Sequence, residues 1–318
     1  MLRTSAPLIG ALDRISERRT DWKCTTEELP EMPWTEKYWD AVRDFYWVPR
    51  YLGLKSIPQK HWVKDETTVT IPRNLTNPSG PLYRRIQSGD EYWSYVRRQE
   101  ETFNHIWNIA LGVLPGDVIA DLFNPFLGWQ SEDFYSSLSG TTGGRYPVLS
   151  DGNVTSPDCL LLSDDSLLAI EIKFNAKTSL AQVAKYLAIL VAEEESVKPR
   201  SRLGILYVYP VDARLRFAKE TGDMANTIDL KAYAELLNAT EHPVIKQFME
   251  SNRKGFESAL ERLCISCITW SDITACIAKY TEALGNGKGD RTLGCLLSGL
   301  QLEIEKHPLS RVAEVSPS

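Results

Sequence analysis

Pro157-Asp-Cys-Leu-Leu-Leu-Ser-Asp-Asp-Ser-Leu-Leu-Ala-Ile-Glu-Ile-Lys-Phe174 is the stretch on which the fold turns. Two apolar runs, Cys159 to Leu162 and Leu167 to Phe174, are joined by the polar turn Ser163 to Ser166, which is the pattern of a β-hairpin. A turn centred between Asp164 and Asp165 makes opposed residue numbers sum to 329, so Leu162 faces Leu167, Leu160 faces Ala169 and Asp158 faces Glu171. Opposed side chains have Cβ atoms about 4.5–5.5 Å apart and successive residues alternate faces, so Lys173 shares a face with Glu171. An Asp, a Glu and a Lys thus converge on one face of otherwise apolar strands.

Two adjacent carboxylates repel one another and call for a shared proton or a cation. Mg²⁺ meets that need with oxygen ligands, one or two carboxylates and positions left for water and substrate phosphate; Mn²⁺ can substitute. Such an ion lowers the pKa of a bound water and neutralises charge on a phosphodiester, while Lys173 would orient the water or stabilise the transition state. The competing explanation is a strand-edge aspartate after a proline and an exposed Glu171–Lys173 salt bridge. Leu, Ile, Ala and Cys flank these positions on both faces, so the hairpin reads as covered on both sides. Three charges there are expensive without a purpose.

Outward from the hairpin, further apolar runs at Leu203 to Tyr209 and Leu263 to Trp270 alternate with helical patterns at Ser179 to Glu194, Leu230 to Arg262 and Asp272 to Leu284. Strands separated by helices describe an α/β layer with helices on both faces. Before the hairpin, Val96, Phe103, Trp107, Leu111 and Leu114 recur at three- and four-residue steps and predict a helix over Asp90 to Leu114. Glu100 falls in that stripe and is expected to turn toward the hairpin. Glu101 falls with Arg97, Arg98, His105 and Asn108 on the side expected to be solvated. Residues 1–90 are rich in Trp and Pro without a clean period and read as a mostly helical or irregular extension for specificity or partner binding. Residues 285–318 read as a linker and a helix; Gly285-Asn-Gly-Lys-Gly289 lacks the strand and spacing of a phosphate loop.

A hydrophobic content of 43% with 25% charged residues is that of a globular chain. The short apolar run Ala6 to Ile9 is too little for a signal peptide or membrane span, so a soluble, cytoplasmic protein without a membrane partner is expected. Six scattered cysteines are expected as reduced core thiols. Strand alternation would point Cys264 and Cys267 to opposite faces, and His61, His105, His242 and His307 show no ligand spacing, which argues against a zinc enzyme. A Ser or Cys hydrolase lacks its nucleophile elbow or Cys–His pair. The net charge of −6 argues against a protein that coats nucleic acid. Contact with nucleic acid must be local, and the candidate patch is Tyr83 to Arg98, where Arg84, Arg85, Arg97 and Arg98 interleave with Tyr83, Tyr92, Trp93 and Tyr95. A solvated helix face paired to Asp90, Glu91 and Glu101 is the alternative reading of that patch.

Pro157-Asp158, a hairpin's length of chain, then Glu171-Ile172-Lys173 resembles the PD-(D/E)XK, restriction-endonuclease-like nucleases. Gln182-Val-Ala-Lys-Tyr186 on the next helix looks like the QxxxY element of several branches of that superfamily. The resemblance covers roughly residues 95 to 284. It implies an α/β/α core with a mixed central sheet over residues 91–284, in which Asp158 and Glu171 bind metal, Lys173 is catalytic and Glu100 is an auxiliary, metal-linked acid. It implies substrate-side roles for Gln182 and Tyr186, with Lys185 between them and Arg97 and Arg98 as further contacts. The implied activity is Mg²⁺-dependent hydrolysis of phosphodiester bonds by an endodeoxyribonuclease, in restriction or anti-phage defence, alone, as a homodimer or with a protein partner. A silent binding or scaffolding subunit of the same fold is the competing class, because fold does not fix function.

Overall fold

Apolar runs of four to eight residues, β-branched or leucine-rich and bounded by turns, are too short for a helix but suit a buried strand. In the computed structural model the four runs above are strands. The structure describes residues 33–39, 62–64, 70–72, 100–130, 135–138, 146–149, 157–174, 176–222, 230–307, 309–310 and 312. Strands β1 (Trp62–Lys64) and β2 (Thr70–Pro72) pair antiparallel. The main sheet runs β3 (Ser136–Leu138), β4 (Cys159–Leu162), β5 (Ser166–Ile172), β6 (Arg202–Tyr209), β7 (Leu263–Thr269), each bonded to the next in that order. β3, β4 and β5 are mutually antiparallel neighbours, whereas β5, β6 and β7 are parallel, so the sheet is mixed. The hairpin has the expected register: Cys159 opposes Ile170, Leu160 Ala169, Leu161 Leu168 and Leu162 Leu167.

Parallel neighbours need crossovers, and helices supply them. Helix α1 covers residues 34–39. The others are α2 (Glu100–Val113), α3 (Gly116–Leu127), α4 (Leu180–Ser196), α5 (Ala213–Thr221), α6 (Leu230–Ala239), α7 (Pro243–Ser251), α8 (Arg253–Arg262), α9 (Trp270–Glu282) and α10 (Lys288–Lys306). One sheet face, with Leu160, Leu167, Ala169, Ile205 and Tyr207, packs on α4 and α6–α8. The other, with Cys159, Leu161, Leu168, Ile170 and Leu206, packs on α2, α3, α9 and α10. The chain is α/β with both faces of a mixed sheet covered. Cys267 lies on the first face and Cys264 against the second, as strand alternation requires. Cys295 is exposed rather than in the core.

Several elements depart from the sequence reading. The helical pattern over Leu230 to Arg262 is three helices, because Pro243 cannot continue a helix and starts α7 at its first turn, and the chain turns again at Asn252. The stretch between the predicted helix and the hairpin, to which the sequence reading gave no element, holds α3 and β3. Pro115 precedes α3, and Gly128 closes it in the left-handed region at φ 67°. Helix α5 was not anticipated; only Ala213, Phe217 and Thr221 are buried along it, too few to make a stripe. The predicted helix over Asp90 to Leu114 is present from Glu100 to Val113, and its beginning lies outside the described residues.

Two arrangements lock the layers. Leu297, Leu300 and Ile304 of α10 enter the second core, and α1 closes over α10: Trp34 Nε1 donates to the Leu296 carbonyl at 3.0 Å and Trp39 Nε1 to Glu303 Oε1 at 3.0 Å. At the turn end of the hairpin, Arg262 grips both oxygens of buried Glu194 at 2.6 and 2.9 Å, Glu194 Oε1 also accepts from the Arg200 amide at 2.6 Å, and Arg200 Nε donates to the Ser163 carbonyl at 3.0 Å. A bidentate, further hydrogen-bonded pair of this kind is the form in which a buried ion pair is tolerated. Among the described residues no single helix is long and apolar enough to cross a membrane.

The sheet is tightest at Gly204, where an added Cβ would lie 2.7 Å from Trp129 Cη2 and 2.9 Å from Leu168 Cδ1. Gly204→Ala is expected to destabilise the protein by about 1–3 kcal/mol through overpacking. Urea denaturation checks this, and Trp129→Leu in the same chain should recover part of the loss.

Candidate functional site

The hairpin brings the predicted residues together at the end away from its turn. One step beyond the last strand pair, the register sets Asp158 opposite Glu171. Asp158 is half-buried and sits just before β4; its Oδ2 accepts from the Ile172 amide at 2.6 Å, tying it to the backbone beside Glu171. Glu171 ends its alternation on the α4 face, and Lys173, two residues on, shares that face. Lys173 Nζ lies 2.6 Å from Glu171 Oε1, with the two residues 4% and 6% exposed. The salt bridge weighed as an exposed alternative is therefore present but buried.

Helix α4 reaches this pair from above. Ser179 caps the helix by accepting from the Gln182 amide at 3.3 Å, which presents Gln182 in the first turn. Gln182 Nε2 donates to Glu171 Oε1 at 2.7 Å and to the Tyr186 hydroxyl at 2.8 Å, so the residues spaced by four do act together. Tyr186 is fully buried, and in this state it supports Gln182 and Glu171 from within the core. Lys185 is half-buried on the same helix. Arg97 and Arg98 lie outside the described residues. Glu100 starts α2, but the side chains of Glu100 and Glu101 are likewise outside them, and the expected difference in their burial is not defined.

Three neighbours escaped the sequence reading. Asn104 Nδ2 donates to Asp158 Oδ1 at 2.6 Å, and Asn108, placed by its helical phase on the solvated side, instead donates to the Asp158 carbonyl at 3.0 Å. Both flank the buried stripe of Phe103 and Trp107, and their i, i+4 spacing was the available signal. Tyr207, opposite Glu171 across the parallel β5–β6 pair, is fully buried with no partner for its hydroxyl among the described residues. Burial, then the Glu171 charge, pushes both the Tyr186 and Tyr207 phenols well above the usual tyrosine range. Behind Lys173, Phe174 stacks on His307 with ring centroids 4.0 Å apart and on Trp270 at 5.3 Å, so His307 belongs to an aromatic wall.

Asp158 and Glu171 are hard, acceptor-only oxygen ligands of the kind Mg²⁺ takes, and they fit that ion. Among the described residues they have no third His, Cys, Asp or Glu clustered with them. Glu171 Oε1 already receives two donors, so a cation entering here would compete with the Lys173 ammonium.

Two stability predictions follow from this geometry, both checked by urea denaturation in EDTA. Glu171→Ala strands the buried Lys173 charge and should cost about 3–5 kcal/mol, most of it recovered in the Glu171→Ala/Lys173→Met double mutant. Tyr207→Phe deletes a buried hydroxyl that has no partner among the described residues and should stabilise by about 1 kcal/mol at neutral pH. Because both phenols are raised in the folded state, the unfolded chain releases these protons first. Their contribution is full below about pH 10 and is lost as pH rises further, a slope that Tyr207→Phe should flatten. In comparisons with known proteins, no family model, curated protein or solved structure matches this chain.

Proposed function

We propose that this protein is a divalent-metal-dependent nuclease of the restriction-endonuclease-like fold that hydrolyses phosphodiester bonds of DNA. The observation that carries the reading is the buried Glu171–Lys173 pair, opposed by Asp158 across the hairpin and bridged by Gln182 to Tyr186. The order of helix α2, the β4–β5 hairpin, α4, β6, helices, β7 and α9 supports it, as does the mixed sheet. A restriction or anti-phage setting and a cytoplasmic location belong to the same proposal on resemblance alone.

Asp158 and Glu171 would hold Mg²⁺ or Mn²⁺, with Glu100 as the auxiliary acid. Once bound, such an ion supplies an activated water and neutralises charge on the phosphodiester. The chain's own residues do the rest. Gln182 holds the Glu171 carboxylate in one rotamer, and Tyr186 fixes Gln182 from the core. Lys173 brings an ammonium to the face shared by the two carboxylates, where it orients the attacking water or meets charge developing in the transition state. Lys185, Arg97 and Arg98 are the candidate contacts to the nucleic-acid backbone.

A second reading, a silent subunit that binds nucleic acid or a partner protein, is favoured by one observation. Glu171 Oε1 accepts from both Lys173 and Gln182, so that oxygen is engaged within the fold. Incubation with plasmid, linear and single-stranded DNA in Mg²⁺, Mn²⁺ or EDTA separates the two. Metal-dependent cleavage is expected for the wild type. Asp158→Ala and Glu171→Ala should abolish it, whereas Lys173→Ala should lower turnover by about a hundredfold or more and leave metal binding largely intact. Full cleavage by the triple mutant would place the site elsewhere, and a wild type that binds DNA without cutting it would favour the silent subunit.

A further inference from the structure

We infer that Asn104 and Asn108 are positioning residues that fix the Asp158 carboxylate for a divalent cation, an inference that rests on the nuclease reading of this site. Asp158 lies one residue outside the β4 ladder, so strand pairing alone does not set its rotamer. Three donors do. Asn104 Nδ2 holds Oδ1 at 2.6 Å, the Ile172 amide holds Oδ2 at 2.6 Å, and Asn108 Nδ2 holds the main-chain carbonyl at 3.0 Å. Asn108 also donates to the Asn104 carbonyl at 2.8 Å, which braces the two amides against one another along α2.

The orientation of both amides is determined by what they touch. Flipping either would press a carboxamide oxygen against an Asp158 oxygen, acceptor against acceptor. In the orientation adopted, Oδ1 of Asn104 and Oδ1 of Asn108 are buried without a donor among the described residues. Asparagine is also a poor residue for a helix interior. A helix that keeps two such residues, each half satisfied, keeps them for the donors they aim at Asp158. Neutral donors suit a cation ligand, because an Arg or Lys in their place would pair with the carboxylate and compete with the metal, whereas an amide orders it and leaves its charge in place.

The test is titration of the full-length chain with Mn²⁺, followed by the electron-spin-resonance signal of the free ion, with circular dichroism to confirm folding. Asn104→Ala should weaken Mn²⁺ binding about tenfold or more while the protein remains folded, and Asn108→Ala should weaken it less, since it touches only the main chain. Asn104→Asp puts a carboxylate where a donor stood. Its melting temperature should fall without metal and be restored by Mn²⁺ to a greater extent than the wild type is raised. A merely structural Asn104 would lower the melting temperature equally with and without Mn²⁺. If Asn104→Ala fails to fold, the response of Asn104→Asp to Mn²⁺ decides the matter. Wild type that binds Mn²⁺ with Asn104→Ala unchanged overturns the positioning role alone. Wild type that binds no Mn²⁺ overturns both this role and the nuclease reading.

Discussion

The pairing of β4 with β5 is the constraint on which everything near the site depends. Side chains alternate along a strand, so a slip of one residue would send Glu171 and Lys173 into the α2 face and bring Ile170 and Ile172 out against α4. Three features prevent the slip. Leucines on both faces of the hairpin fit two different cores, the Glu194–Arg200–Arg262 cluster anchors the turn through the Ser163 carbonyl, and Asp158 takes the Ile172 amide at the other end. The hairpin is thereby fastened at both ends by polar contacts and in the middle by apolar ones.

This fastening explains how a buried ion pair is tolerated. A glutamate and a lysine almost wholly removed from water cost several kcal/mol each unless their remaining valences are met. Here Gln182 meets one of them and is itself held by Tyr186, whose hydroxyl lies in the core of the α4 face. The Glu194–Arg262 pair at the other end of the hairpin is tolerated in the same way, with both carboxylate oxygens held.

Much of this was legible in the sequence because it follows from a period of two and a turn. The hairpin, its register, the burial of both faces and the placing of Lys173 beside Glu171 needed only alternation and a turn, whereas Gln182 and Tyr186 were singled out by the resemblance, with their spacing of four consistent with it. What was not legible depended on contacts remote in sequence. Nothing local to Asn104 or Asn108 reveals that Asp158 lies against them, and nothing local to Tyr207 reveals that β6 would place it opposite Glu171. His307 looked unremarkable because its partner, Phe174, is far away along the chain. The break at Pro243 could have been read from proline alone and was overridden by a long run of helical spacing.

The aromatic wall has a consequence in time as well as in space. Phe174, adjoining Lys173, is backed by Trp270 and by His307 from the end of α10, and α10 is in turn covered by α1 through contacts such as Trp39 with Glu303, 264 residues apart. Contacts between such distant segments carry a loop-closure cost that slows their formation. During synthesis the hairpin and α4 emerge long before the residues that wall them in. The aromatic wall behind the Glu171–Lys173 pair is therefore complete only once the chain has passed residue 307, and until then the pair lacks that backing.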